Sequence, residues 1–412
     1  MAIKNNLLTI CIIIPGKFSV PAIMGGAIET LMTYIIDVNE KEKKFNFVII
    51  SSYCSGVEEY MSKYKYTNFK YIKTNKILSK LINGINYGIL KISGNIDCLS
   101  TPFHWKAKRI LKRLHADYVV VEHGVFKHFG WLRNYFNRNR IYLHIHGYSI
   151  EPNKETKDTF GNIITVSEFV KNTWFNDYNV KNSNYYICKN GIDERMFSAK
   201  ISTDMRKKYR SNMGIKEKDI LIIYCGRLIE IKGIKELMEA VLAIDNPKIK
   251  LMVIGSSNFK STKIKKYEKS LIKMMQMSNR RIFFTGYIDN NELYRYYQCG
   301  DIQCCPSLCE EGALLVGIEA MMSGLPIIVT NSGGCTEYID KNCALIIDKK
   351  ESLYNERDRK EFVQKLKEGI ISLADDEERR KKMGENAKKI GARYTRREFF
   401  DSFIEIFEER NV

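Results

Sequence analysis

Short apolar runs rich in β-branched residues recur along the chain and alternate with stretches whose apolar positions repeat at helical spacing. The runs cover residues 8–14, 46–51, 118–122, 141–144 and 163–166, and after a gap 220–225, 250–254, 281–285, 302–305, 326–330 and 344–347. Each is long enough for a buried strand and too short for a helix. Helical patterns lie between them at 27–38, 235–243 and 315–323. Strand alternating with helix predicts parallel sheets in an α/β protein. A polar, charged stretch at 193–218 separates two series of similar size. The pattern therefore predicts two doubly wound domains, 1–193 and 194–390, facing each other across a cleft. The final segment, 391–412, carries Phe399, Phe400, Phe403, Ile406 and Phe407 at helical spacing. Such an apolar face needs a partner, and the first domain is the expected one.

Composition narrows the class. With 44% hydrophobic and 28% charged residues over 412 positions, the chain can bury large cores, which excludes wholesale disorder. The 11 Cys are odd in number, scattered, and form no CxxC pair, so they read as small apolar fillers in a reducing compartment. Cys305 and Cys309 could form half a metal site, but no His follows His146 and no second pair exists, so no metal is expected. The first apolar run stops at Pro15, too short to span a bilayer and without an A-x-A-like cleavage site, so it reads as a buried strand. The expectation is a cytoplasmic protein, free or resting on the inner face of a membrane.

Charge favours anionic partners. Lys+Arg 66 against Asp+Glu 48 leaves +18, which suits a membrane surface, nucleotide phosphates or nucleic acid. The excess is local: within residues 60–116 the only acid is Asp97, and the Lys and Arg are interleaved with Tyr64, Tyr66, Phe69, Tyr71, Phe103 and Trp105. A second basic, aromatic stretch follows at 126–140. Lys106, Lys108, Arg109, Lys112 and Arg113 mark a face for an acceptor or an anionic bilayer, each basic group near a surface contributing about 1 kcal/mol. The alternative is an ordinary solvated face.

Several spacings carry chemistry. Gly25-Gly26 follow the first strand and open a helix, where backbone N–H groups and the positive helix end can meet an anion. Neither GxGxxG nor GxxxxGK is present, which argues against a nicotinamide dehydrogenase or a P-loop NTPase. In the second series, Gly226-Arg227 end a strand and Lys232-Gly233 open the next helix. Two cations at a strand's carboxyl end suit a diphosphate, unless they are simply solvated loop residues. Glu311 and Glu319 then stand eight positions apart in the otherwise apolar stretch 312–321. Eight residues of helix separate backbones by about 12 Å. That exceeds the roughly 5–9.5 Å of a glycosidase acid/base pair and leans towards two grips on a long ligand. Gly333-Gly334 and Glu337 follow the next strand. His144 and His146, at the end of another, are expected to point to opposite faces, with His146 towards the ligand.

Together these motifs resemble the retaining glycosyltransferases of family 4, which have the GT-B fold of two Rossmann-like domains. The matching positions are Gly25-Gly26-Ala27-Ile28-Glu29, His146-Gly147, Val166-Ser167-Glu168, Asn190-Gly191-Ile192-Asp193, Gly226-Arg227 with Lys232-Gly233, the E-x7-E of Glu311 and Glu319, Gly324-Leu325-Pro326, and Gly333-Gly334 with Glu337. The resemblance implies an N-terminal acceptor domain and a C-terminal nucleotide-sugar domain. It places Glu319 on the ribose, Glu311 on the donor hexose with Gly312, Ala313, Leu314 and Leu315 beside it, and Arg227 and Lys232 on the diphosphate opposite Gly25-Gly26. His146 would lie near the transferred sugar. Glu311, His146, Arg227 and Lys232 are thus the catalytic candidates. The family often has glycine where Leu314 stands and an aromatic where Ala313 stands, which bears on the donor sugar. The implied reaction moves a hexosyl unit from a nucleoside-diphosphate sugar, a UDP-sugar in particular, to a cell-surface glycan or lipid-linked acceptor with retention. No cofactor and no metal enter, and no D-x-D occurs. The rivals are a nucleotide-sugar epimerase of the same fold, a non-catalytic coat or scaffold protein, and, from charge alone, a nucleic-acid-binding protein, for which no recognition module is present.

Overall fold

The computed structural model describes residues 7–74, 77, 78, 81, 82, 84–86, 89, 101–122, 127–147, 151–257, 265–350 and 355–408. The chain divides into two compact units, one formed by Met1–Lys189 with Phe399–Val412 and the other by Asn190–Glu398.

The first unit is built on seven parallel strands: β1 (Thr9–Ile13), β2 (Asn46–Ser52), β3 (Thr67–Ile72), β4 (Tyr118–Glu122), β5 (Ile141–Ile145), β6 (Asn162–Thr165) and β7 (Asn184–Ile187). Their spatial order is β3-β2-β1-β4-β5-β6-β7. β1, β4 and β5 are buried along their whole length, as expected of central strands packed on both faces. The second unit has six: β8 (Ile220–Cys225), β9 (Ile249–Ile254), β10 (Ile282–Gly286), β11 (Ile302–Cys305), β12 (Ile327–Thr330) and β13 (Ala344–Ile347), in the order β10-β9-β8-β11-β12-β13. In each sheet the order reverses beside the first strand, between β1 and β4 and between β8 and β11. Open α/β sheets bind ligands beyond the carboxyl ends of the strands at such a point.

The apolar runs predict eleven of these strands. The two left over, β3 and β7, are the edges of the first sheet. Their sequences, TNFKYI and NYYI, mix polar and aromatic residues because one margin of an edge strand meets solvent. This also corrects the reading of the basic stretch. Tyr64, Tyr66, Phe69 and Phe103 are core side chains, whereas Trp105 is 53% exposed. Asp97, with 91–100, and Phe126 lie outside the described residues.

Five helices position the site and close the cores. α1 (Ala27–Glu42) follows β1; α2 (Pro102–Leu111) precedes β4; α3 (Ile234–Leu242) follows β8; α4 (Leu315–Ser323) follows β11; α5 (Arg396–Glu408) ends the described chain. α2 starts with Pro102 behind a reciprocal Thr101–His104 cap, which satisfies donors at its first turn. The apolar face of α5 packs within the first unit: the Phe407 ring lies 4.8 Å from Tyr142, 5.4 Å from Tyr118 and 6.4 Å from Phe45. The ten cysteines among the described residues are free thiols, seven of them buried.

Candidate functional site

In the second unit three loops meet beyond β8, β11 and β12. The first is drawn in by Gly233, which sits at φ +66°, where a Cβ would fall 1.8 Å from the Pro306 carbonyl oxygen. Only glycine permits both the left-handed backbone and this approach. The Leu308 N–H then donates to the Ile231 carbonyl at 2.9 Å, tying the second loop to the first. The Gly334 N–H donates to the Glu311 carbonyl at 2.7 Å, and the Ser332 hydroxyl to the Cys309 carbonyl, tying in the third.

These ties bring Lys232 to Glu311. The ammonium and the Ser307 hydroxyl both donate to Glu311 Oε1, in a pair whose side chains keep 25% and 20% of their accessible surface. Arg227 stands exposed after β8, and among the described residues it has no ion pair. On α4 the carboxylate of Glu319 accepts from the Tyr297 hydroxyl at 2.8 Å. At the end of β11 the Cys305 thiol is pushed up to about 12, chiefly by burial, with the Glu311 and Glu319 charges adding to it and Lys232 opposing. Gly312 is buried, while Ala313 and Leu315 are half-buried. The Leu314 side chain turns inward over Gly317, where a Cβ would lie 2.4 Å from it, so glycine in the helix accommodates the larger residue before it.

Burial raises the Glu319 carboxyl from 4.5 to about 7, with the Tyr297 hydroxyl pulling the other way. Between those two pH values the folded chain keeps a proton that the unfolded chain has lost. The stabilisation this group contributes is therefore complete below about pH 4.5 and disappears as pH rises through about 7. Glu319→Gln, which keeps an acceptor for Tyr297, should remove this dependence. Chemical denaturation of the unliganded protein should find the variant more stable than wild type at pH 8, by on the order of 1–3 kcal/mol, and closer to it at pH 4.5. An equal difference at both pH values would contradict the assignment.

The first unit holds a second group. Glu122 ends β4, and its register partner on β5 is His144. The Glu122 carboxylate lies 2.6 Å from His146 Nε2 and 3.2 Å from His144 Nδ1, with both Glu122 and His144 fully buried. The expectation of opposite faces is thus corrected. Residues two apart on a strand share a face, and the imidazole centroids are 3.9 Å apart. Burial pushes the Glu122 carboxyl up, but charge and hydrogen bonding from His144, and then His146, bring it down to about 2. Among the described residues these three form the one group with metal-ligand potential, their donor atoms lying within 4.8 Å of one another. The 2.6 Å contact is that of a charge-assisted hydrogen bond, so the nitrogen facing the carboxylate carries a proton. The group is a proton-bonded network by that geometry.

Gly25 and Gly26 both adopt positive φ at the start of α1. An internal carboxylate, that of Glu29, packs against this turn and draws its hydrogen bonds from other N–H groups. The Glu29 carboxylate lies where a Cβ on Gly26 or Gly16 would stand, 2.2 and 2.7 Å from those positions. It accepts from the N–H groups of Glu29 and Phe18, although burial still raises its carboxyl. On α2, Lys106 and Arg109 are exposed beside Trp105, and Lys108 is half-buried with its ammonium 6.0 Å over Trp131; Lys112 and Arg113, exposed, follow the helix.

Comparison with known proteins agrees with this architecture. Residues 205–390 match the family Glycosyl transferases group 1. The chain is 28% identical over 254 residues to Spore coat protein SA of Bacillus subtilis, spanning 60% of this chain and 62% of that one. It is 26% identical over 227 residues to the Lipopolysaccharide 1,2-N-acetylglucosaminetransferase of Salmonella typhimurium, spanning 54% and 57%. The matched stretch thus covers less than two thirds of either relative. Among solved structures, HepE of Anabaena in complex with UDP superposes with a TM-score of 0.72 at 16% identity, covering 98% of this chain and 100% of that one. The second unit therefore matches the glycosyl transferases group 1 family over residues 205–390, and the chain as a whole has the GT-B fold.

Proposed function

We propose that the protein is a retaining, metal-independent glycosyltransferase of family 4, which moves a hexosyl unit from a nucleoside-diphosphate sugar, a UDP-sugar in particular, to a cell-surface glycan or lipid-linked acceptor. The observation that carries the reading is the Lys232–Glu311 pair beyond the strands at the order reversal of the second sheet, with Glu319 on the helix that follows, inside the stretch that matches group 1. A half-buried ammonium held by one carboxylate is a cation ready to be shared with an incoming diphosphate. Arg227, exposed after β8, is assigned to the same phosphates, Glu319 to the ribose, and Glu311 to the hexose. The backbone of 312–315 and Gly25-Gly26 are assigned to the donor, and His146 to the transferred sugar.

Departure of the diphosphate leaves positive charge on the sugar and negative charge on phosphate. Lys232 and Arg227 stabilise the latter, and they do so most where water is excluded. The solved HepE complex with UDP supports a uridine nucleotide. The basic face of α2, with Trp105 at its surface, suits a lipid-linked acceptor or an anionic bilayer. Among the described residues no helix is long and apolar enough to cross a membrane.

The likeness to a spore coat protein favours a second, non-catalytic reading. One panel separates the two. UDP-, GDP-, ADP- and dTDP-sugars are tested for thermal stabilisation, with incubation of each sugar alone and with anionic against neutral vesicles. A ligand present at 100 times its Kd adds about 2.7 kcal/mol of stability. A shift with one nucleotide class, no isomerised sugar, and binding to anionic vesicles alone are expected. No shift with any sugar supports the non-catalytic reading, and isomerisation without an acceptor supports an epimerase.

A further inference from the structure

We infer that Tyr297 is a positioning residue for Glu319: its hydroxyl holds Oε2 of that carboxyl, so that Oε1 is the oxygen left to accept from a ligand hydroxyl. That the ligand hydroxyl is one of a ribose rests on the proposed function; the hold on Oε2 does not.

Tyr297 ends the helix Asn290–Tyr297, and its ring is fully buried, edge-on to Phe197 at 6.0 Å. The turn after it is fixed against β8. The Gly300 N–H donates to the Tyr297 carbonyl at 3.0 Å, and a Cβ on Gly300 would fall 2.4 Å from the Ile223 side chain. A ring packed on all sides leaves its hydroxyl one position. There it donates to Glu319 Oε2 at 2.8 Å, against 3.5 Å to the Val316 carbonyl. A phenol has one proton to give, and the closer acceptor takes it. The Cys225 thiol at the end of β8 is hydrogen-bonded to the same hydroxyl. Burial, and then the Glu319 charge, push this thiol up, so it stays protonated and its S–H donates to the phenol oxygen.

Glu319 itself is half-buried, and its Oε1 makes no hydrogen bond among the described residues, yet is not one of the sealed, unsatisfied atoms. That oxygen therefore meets solvent. No cation competes for it: burial and the Tyr297 hydroxyl are what act on the carboxyl. β11, β12 and the helices Glu194–Phe197 and Glu377–Gly391 also pack on α4. Among their described residues none pairs with Glu319, and the remaining titratable neighbour is the Cys305 thiol, kept protonated chiefly by burial. A desolvated carboxylate without a cation depends on its one O–H donor to stay ionised and to keep one orientation on a flexible stem.

The test combines carbon NMR and calorimetry on the full chain with Tyr297→Phe, which keeps the ring and its packing and removes only the hydroxyl. In unliganded protein carrying ¹³Cδ-labelled glutamate, the Glu319 signal is identified by its loss in Glu319→Gln. It should titrate about one pH unit higher in Tyr297→Phe than in wild type, because the lost bond favours the ionised form. At pH 8, UDP should bind the variant about 3–10-fold more weakly, and 2′,3′-dideoxy-UDP should bind both proteins equally. An unmoved midpoint overturns the inference. So does equal weakening of both nucleotides, which is what a general loosening of the core would give. Should wild type bind neither nucleotide, or both alike, the assignment of Glu319 to a ribose falls, while the titration still decides the hold on Oε2.

Discussion

Lys232→Ala should lower transfer from the selected nucleotide sugar by about 10²–10³-fold in kcat, the loss typical when one preorganised group opposing a developing negative charge is removed. The substitution acts on two things at once. It takes away the ammonium assigned to the departing diphosphate, and it leaves Glu311 half-buried, with the Ser307 hydroxyl and, at 3.8 Å, the Cys309 thiol as its remaining side-chain donors among the described contacts. Glu311→Gln in the Lys232→Ala background separates these effects. Stability lost through the stranded carboxylate returns in the double variant, whereas turnover does not. Steady-state kinetics beside a melting curve for each variant makes the comparison. Unchanged turnover in a folded Lys232→Ala protein would remove Lys232 from the reaction.

The largest effect on stability is expected from Phe407→Ala. The ring is fully buried and fills the space between Phe45, Tyr118 and Tyr142, so truncation removes its own burial and leaves a cavity among large rings that cannot collapse into it. Such changes cost about 3–5 kcal/mol. Urea unfolding should show the loss as a lower midpoint with an unchanged slope. A change below about 1 kcal/mol would mean that α5 is not part of this core. The exposed neighbour Glu408, whose pair with Lys44 at 3.5 Å is solvated on both sides, should by contrast be nearly silent on replacement.

Much of this architecture is legible along the chain, for a physical reason. A central parallel strand is apolar on both faces, so β8 announces itself as an uninterrupted run and β1 and β11 as runs broken by a single polar residue. The edge strands β3 and β7 have one wet margin and mix polar with aromatic residues, and periodicity passes over them. The same effect turned Tyr64, Tyr66 and Phe69 into apparent surface aromatics, when their basic neighbours in fact flank a strand and its turns. At the candidate site, Glu319 draws notice in the sequence as a lone charge within the apolar stretch 312–321, and Lys232 and Glu311 as charges that follow predicted strands. Their supports do not. Tyr297 reaches Glu319 from 22 positions away, and Glu122 meets its two histidines across 22 and 24. Nothing local marks a tyrosine before a turn, or a glutamate that ends a strand, as the holder of a remote side chain. The intramolecular claim of Glu29 on the Gly25-Gly26 turn had a local signal, three positions into the helix, where a side chain can fold back on the first N–H groups.

Amide hydrogen exchange with and without UDP-glucose tests most directly where the donor sits. Binding at the three stitched loops should slow exchange at residues 226–233 and 307–319, and Lys232→Ala should abolish that slowing at the same ligand concentration. Slowing confined to other segments, or none at a concentration that raises the melting temperature, would contradict the placement of the donor on Lys232, Glu311 and Glu319.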